Sequence, residues 1–212
     1  MADVKKNFWL VLFYGATWGL IEATLGHLLH FITTLTFVPV SGLIMFPIGF
    51  YLMMRAFKET NSTATIFQVG AVAASIKLFD FLAPFLPPEH VLHPATAILL
   101  EASAVFAFVK ISKTATILNR FATATAVSLA WRLCFLTVLA TGTDSRGVLE
   151  KGVIGLSLFL IIEPLINGLL IIKVVSLINK FSNLSCVAIR PAFVCGIYTI
   201  AVLSQLASRL VL

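Results

Sequence analysis

Seven apolar runs, each about as long as a bilayer-spanning helix, occupy most of this 212-residue sequence. A helix needs about 20 apolar residues to cross the hydrocarbon core. With 59% hydrophobic and 11% charged residues and a mean hydropathy of +1.03, the chain is far more apolar than a soluble domain. The sequence therefore predicts an all-α, polytopic membrane helical bundle that forms a single domain over residues 1–212. The predicted helices lie near residues 8–32, 41–57, 64–86, 94–112, 116–141, 151–180 and 191–212.

Two of the seven predicted helices are less regular than the others. The second is short and contains Pro47 and Gly49, so it is expected to be kinked or to span the membrane only in part. If the last run is not a full span, the bundle has six transmembrane helices instead of seven, and both chain ends lie on the same side.

The distribution of basic residues predicts the orientation. Ten of the fifteen Lys and Arg residues fall at the N-terminus and in alternate loops, which would place these regions and the N-terminus in the cytoplasm. The prediction is a multi-pass protein of the cell membrane, with the lipid bilayer as its surroundings. The net charge of +6 comes from short loops without a basic stripe, so no nucleic-acid partner is expected.

Six ionisable side chains lie inside the predicted helices, between the middle of the bilayer and its outer face. Each costs roughly 2.5–3.5 kcal/mol on insertion scales, so such residues are retained where they are paired or used. Together with Trp18, which shares a helix face with Glu22, they are predicted to line an outward-facing substrate pocket. The six are Glu22, Lys77, Asp80, Glu101, Arg132 and Glu163.

Pairing offers a structural explanation for some of these charges. Lys77 and Asp80 are three residues apart on one helix and could neutralise each other, and Arg132 could pair with a carboxylate. The six charges still sum to −2 when all are ionised. This surplus of acid would have to be neutralised by protonation or by a bound cation.

The first helix carries a ladder of small residues, Gly15, Gly19 and Ala23. Such a ladder lets another helix backbone approach closely, either inside the chain or on a partner. Glu22 and His30 share that face and need a polar partner or a water-filled cavity.

All four histidines fall at the predicted outer surface, as His27 and His30 on the first helix and His90 and His93 before the fourth. Pairs with this spacing can bind one metal ion, and Glu89 offers an oxygen nearby. A divalent metal ion or haem is therefore a candidate cofactor. No catalytic motif of a soluble-type enzyme is present, and no catalytic residue is predicted.

Residues 15–23 (GATWGLIEA) and 41–49 (SGLIMFPIG), with the size and hydropathy of the whole chain, give a family resemblance. The chain resembles the S component, the substrate-binding membrane subunit, of energy-coupling-factor (ECF) transporters. The resemblance implies a helical substrate-binding bundle that opens outward, with a transmembrane coupling subunit and two cytoplasmic ATPases as partners. It also implies that Gly15, Gly19 and Ala23 contact the coupling subunit.

Three functions follow as hypotheses. The first is an uptake-type transport subunit that binds a small, cationic or metal-containing solute or vitamin. The second is a membrane enzyme or redox subunit with haem or metal bound by the histidines. The third is a non-catalytic assembly or scaffold protein whose buried charges pair with one another.

Overall fold

The computed structural model describes residues 2–36, 40–82, 87–112, 116–141, 152–180 and 190–210. Within these ranges the side chains of residues 2–4, 30, 34, 36, 141, 209 and 210 lie outside the description. The described residues form helices and short connections, and no strand occurs among them. The prediction of an all-helical fold is confirmed.

The described chain forms seven helical rods, numbered α1 to α7. Two of them are continuous rods in which a π-helical segment separates two α-helical parts. Their bounds are α1 over 2–36 (Ala2–Ile21, π segment Glu22–Gly26, His27–Thr36), α2 Ser41–Thr60, α3 Ala64–Leu78 continued by the 3₁₀ turn Phe79–Leu82, α4 Pro88–Ile111, α5 Ile117–Thr141, α6 over 152–180 (Gly152–Ser157, π segment Leu158–Ile162, Glu163–Lys180) and α7 Pro191–Leu210.

Six of these rods are long and apolar enough to cross a membrane, which indicates a multi-pass membrane protein. The rod that does not meet both criteria is α2, and not α7, the last one. Arg55, Lys58 and Glu59 near its C-terminal end make α2 more polar than its neighbours. Despite Pro47, α2 is one continuous helix of 20 residues. It ends at Asn61, whose left-handed backbone (φ 53°) lets its N–H donate to the Phe57 carbonyl at 2.8 Å.

The start of α4 corrects one sequence-based expectation. The helix was expected to begin near residue 94 with Pro94 in its first turn, but it begins at Pro88. Proline suits a helix start because its missing N–H would have no partner there. Pro88 fills that role, and Pro94 lies inside the helix.

Polar contacts join the basic ends of α1, α2 and α6. The Tyr14 hydroxyl donates to Glu59 Oε1 at 2.6 Å, and Arg55 Nη2 donates to the same oxygen at 3.2 Å. Lys58 Nζ donates to Asn179 Oδ1. These ends therefore lie on the same side of the bundle, as the count of basic residues requires; that this side faces the cytoplasm stays a prediction.

The small-residue ladder on α1 packs against α3 of the same chain. A Cβ atom built on Gly15 would lie 2.5 Å from the Cβ of Val72. A Cβ on Gly19 would collide with Ile76, and Ala23 is buried. The Gly15 and Gly19 face is thus occupied by an intramolecular helix contact, which is the first of the two alternatives that the sequence left open.

We expect Gly15→Ala to lower the free energy of unfolding by about 1–3 kcal/mol, because an added methyl group overpacks the contact with Val72. Gly196→Ala on α7 is the matched control, since nothing lies within 4 Å of the added Cβ. There alanine should be neutral or slightly stabilising through its helix propensity. Thermal unfolding of the detergent-solubilised variants measures both effects, and equal changes in Tm would contradict the proposed packing.

Candidate functional site

Arg132 of α5 and Glu163 of α6 form a buried ion pair. Arg132 Nη2 lies 2.9 Å from Glu163 Oε2, and the arginine side chain is fully buried. Arg132 Nη1 donates to the hydroxyl of Ser128 at 2.6 Å and to its carbonyl at 2.9 Å. Arg132 Nη2 also donates to the Gly42 carbonyl of α2 at 3.2 Å. One guanidinium therefore links three rods.

The surroundings of this pair explain why it is stable in an apolar interior. The guanidinium carbon lies 4.6 Å from the ring centroid of Trp131 and 5.3 Å from that of Phe159, within cation–π range. Asn167, one turn after Glu163, donates from Nδ2 to the Gly42 carbonyl at 3.2 Å. A Cβ on Gly42 would lie 3.3 Å from both Arg132 Nη2 and Glu163 Oε2, so glycine lets the backbone approach the pair.

The helix around Glu163 is locally irregular for a reason visible in the sequence. Pro164 has no N–H to donate to the carbonyl of Leu160, four residues earlier. The π segment Leu158–Ile162 precedes it, and the Glu163 N–H donates to the Leu158 carbonyl, five residues back. π segments are often found at functional sites, and this one lies at the level of the ion pair.

A second pair joins α1 and α3. Lys77 Nζ lies 3.9 Å from Glu22 Oε2 and donates to the Glu22 backbone carbonyl at 3.1 Å. Glu22 is the first residue of the π segment in α1. A Cβ on Gly26 would lie 2.8 Å from Glu22 Oε2, so glycine leaves room for the carboxylate against its own helix. Of the acids in these two pairs, Glu22 thus begins one π segment and Glu163 directly follows the other.

Glu101 of α4 interacts with one member of each pair. It is 4% exposed, and its Oε2 atom has no hydrogen-bond partner among the described residues. It is close enough to the Glu22 carboxylate and to the Arg132 guanidinium to interact with both electrostatically. The structure thus brings together five of the six predicted charges in one cluster, which we call the buried charge cluster: Glu22, Lys77, Glu101, Arg132 and Glu163.

Asp80 is held differently from the other predicted charges. It lies in the 3₁₀ turn after α3, is 1% exposed, and accepts a hydrogen bond at 2.7 Å from Gln205 Nε2 of α7. Asp80 therefore contacts α7, whereas Lys77 contacts Glu22 of α1. That Lys77 and Asp80 also neutralise each other within the helix stays a prediction.

Trp18 is fully buried one turn before Glu22. Its indole ring faces two glycines. A Cβ atom on Gly49 of α2 would lie 2.6 Å from Trp18 Cζ2, and a Cβ atom on Gly70 of α3 would lie 3.9 Å from Trp18 Cζ3. The ring therefore fills the space between α1, α2 and α3 next to the buried charge cluster.

The cluster is closed in this structure. Its most exposed member is Glu22, whose side chain is 13% accessible, and the Arg132 side chain is inaccessible. The sequence predicted a pocket open to one face, whereas the structure shows the same side chains enclosed by helices. Helix packing closes the site because Trp18, Phe46 and Trp131 fill the gaps around it.

Several polar groups that contact the six predicted charges were not predicted. They are Gly42 through its carbonyl, Ser128, Asn167 and Gln205. Ser128 lies four residues before Arg132, and Asn167 four after Glu163, which puts each on the same helix face as its charge. For Ser128 and Asn167, the available signal was thus a neutral polar residue four positions from a charge inside an apolar helix.

The structure does not gather the histidines into a metal site among its described side chains. His27 lines a groove between α1 and α7 with Phe31 and Ser204. His90 is exposed, and the ring of His93 packs edge-on against Phe135 at 6.4 Å. The side chain of His30 lies outside the described residues. No group of three or more His, Cys, Asp or Glu that could hold a metal ion occurs in the described part, and the metal or haem site stays a prediction.

Comparisons with family models, with curated proteins and with solved structures found no match to this chain.

Proposed function

We propose that this protein is a membrane transport subunit that binds a small cationic solute at the buried charge cluster. The observation that carries the proposal is the surplus acid in that cluster. Lys77 lies beside Glu22, and Arg132 is hydrogen-bonded to Glu163. Glu101 is the third carboxyl group, and the cluster contains no third base to pair with it.

The energetics favour a ligand at this position. An ionised carboxylate removed from water costs several kcal/mol unless it is paired. A cation bound beside Glu101 would offset this cost and would also reduce its repulsion with Glu22. The charged side chains of the cluster come from five rods, α1, α3, α4, α5 and α6, and would surround the solute.

Transport also requires the closed cluster to open. The π segments in α1 and α6 lie at the level of Glu22 and Glu163, and such segments interrupt the regular hydrogen bonding of a helix. These two rods are therefore the ones proposed to bend as the solute enters.

The energy source and partners belong to the proposal as well. The sequence has no nucleotide-binding motif, so energy would come from an ion gradient or from partner subunits. The ECF resemblance implies a coupling subunit and cytoplasmic ATPases. Because Gly15 and Gly19 already pack on α3, a coupling subunit would contact another face of the bundle. Co-purification of a tagged copy with an ATPase would support this assembly.

The test of binding is a thermal shift measured against metal ions and cationic vitamins. A solute present at about 100 times its Kd should stabilise the protein by about 2.7 kcal/mol. We expect Glu101→Gln to remove this shift, because glutamine cannot supply the negative charge. Glu89→Gln is the control, since Glu89 lies on the same helix in its first turn, away from the cluster. If no cation stabilises the wild type, or if Glu101→Gln responds equally, the transport proposal is wrong.

A second candidate is a non-catalytic assembly or scaffold protein. The observation that favours it is the Arg132–Glu163 pair, whose guanidinium is already satisfied by Ser128 and Gly42 and needs no solute. On this view, no cation should stabilise the protein, and Glu101→Gln should fold as well as the wild type or better.

A further inference from the structure

We propose that Glu101 carries a proton when the buried charge cluster is empty, and that a cation entering the cluster displaces this proton. The second half of the proposal rests on the proposed function, and it makes the proton the coupling ion of transport. The first half concerns the empty protein and stands on the geometry alone.

The charged groups that interact with Glu101 are Glu22 of α1 and Arg132 of α5. Lys77 of α3 is the ion-pair partner of this Glu22, and Glu163 of α6 is the ion-pair partner of this Arg132. From residue 41 to residue 54, α2 contributes no charged side chain, and on α4 itself the nearest charges are Glu89 and Lys110, more than two turns away. Both bases are engaged with other carboxylates.

Protonation is the lower-energy state of Glu101 in this environment. A buried neutral carboxyl with an unmet hydrogen bond costs about 1–3 kcal/mol. An unpaired carboxylate costs several kcal/mol, and Glu22 nearby would add repulsion. A proton also needs no cavity, which fits a site that is closed and tightly packed.

Polar atoms near the Arg132 pair provide further places for water or for groups of a solute. Trp131 Nε1, Arg132 Nε and Asn167 Oδ1 are buried without a hydrogen-bond partner among the described residues. Buried polar atoms in native proteins are usually satisfied, so such atoms point to ordered water or a ligand. They offer two donors and one acceptor around the cluster.

The exchange is balanced. The O–H bond of the Glu101 carboxyl breaks, the electron pair stays on the oxygen, and the proton leaves to water. The cation then neutralises the carboxylate that remains. One proton is released for each monovalent cation bound, and the net charge of the cluster does not change.

Infrared spectroscopy tests the first half. The purified protein at neutral pH should show the C=O stretch of a protonated carboxylic acid, and this band should be absent from Glu101→Gln. Glu89→Gln should keep the band. Glutamine matches a protonated glutamate in shape and charge, so Glu101→Gln is expected to fold and to unfold at a Tm equal to or above that of the wild type.

Proton release tests the second half. Na⁺, K⁺, Mg²⁺ and Co²⁺ are added one at a time as chlorides to weakly buffered protein with a pH-sensitive dye. A cation that stabilises the wild type should release about one proton, and Glu101→Gln should release none.

The outcomes separate the two proposals. Absence of the carboxylic-acid band overturns the protonated state even if cations bind, and the transport proposal then survives. A band that is present but unaffected by a stabilising cation overturns the exchange. A band present in a protein that no cation stabilises supports the proton on Glu101 and contradicts cation transport.

Discussion

Replacing Arg132 with methionine is expected to lower the free energy of unfolding by about 3–5 kcal/mol. The substitution removes the guanidinium that lies 2.9 Å from Glu163 Oε2 and leaves that carboxyl buried without this counter-charge. It also leaves the carbonyl of Gly42 without one of its donors and the hydroxyl of Ser128 without its partner. Unfolding in detergent, followed by circular dichroism, measures the change.

Two further variants make this result specific to the pair. Lys173→Met removes a charge from an exposed position on α6 and should change stability little. The double variant Arg132→Met with Glu163→Leu should recover much of the loss, because no unpaired charge then remains buried. A double variant as unstable as Arg132→Met alone would show that the pair is not the origin of the effect.

The second large effect is expected at Trp18. Trp18→Ala should destabilise the protein by about 3–5 kcal/mol, because it leaves a cavity between α1, α2 and α3. The indole is fully buried, and a Cβ atom on Gly49 would lie 2.6 Å from its Cζ2 atom. Phe8→Ala is the control on the same rod, since Phe8 is 58% exposed. A similar loss of stability in both variants would contradict this packing.

Gly49 provides an internal check on the Trp18 contact. Gly49→Ala alone should destabilise the protein by about 1–3 kcal/mol, because its Cβ would lie 2.6 Å from the ring. In the Trp18→Ala background the same methyl group enters an empty space, so its cost should disappear. This non-additivity is the expected sign of direct contact.

Much of the fold could be predicted from the sequence because helix formation and membrane crossing are local properties. The periods and lengths of the apolar runs placed six of the seven rods within a few residues of their observed bounds at one or both ends. Boundaries were wrong where two signals competed, as at Pro88 and Pro94, because either proline could begin a helix. The second run was rightly singled out as different from the others, but it is a continuous helix despite Pro47.

The sequence supplied the charges of the candidate site and the expectation that Arg132 pairs with a carboxylate, but not which carboxylate pairs with it or which helix Lys77 reaches. The sequence indicated that Arg132 would pair with an acid, and it offered Asp80 as a partner for Lys77. The structure assigns Glu163 to Arg132 and brings Lys77 to Glu22. Spacing within one helix can reveal only local pairs, whereas these partners are 31 and 55 residues apart along the chain.

The sequence by itself determined that the chain forms long apolar helices, that six charges lie within them and that acids outnumber bases among those charges. These properties follow from composition and order along the chain. Only the tertiary structure decided that Glu101 is the acid left over, that the cluster is closed, and that the glycines of α1 pack within the chain. These depend on the rotation of each helix about its axis and on which helices are neighbours, and both are set by packing between residues far apart in sequence.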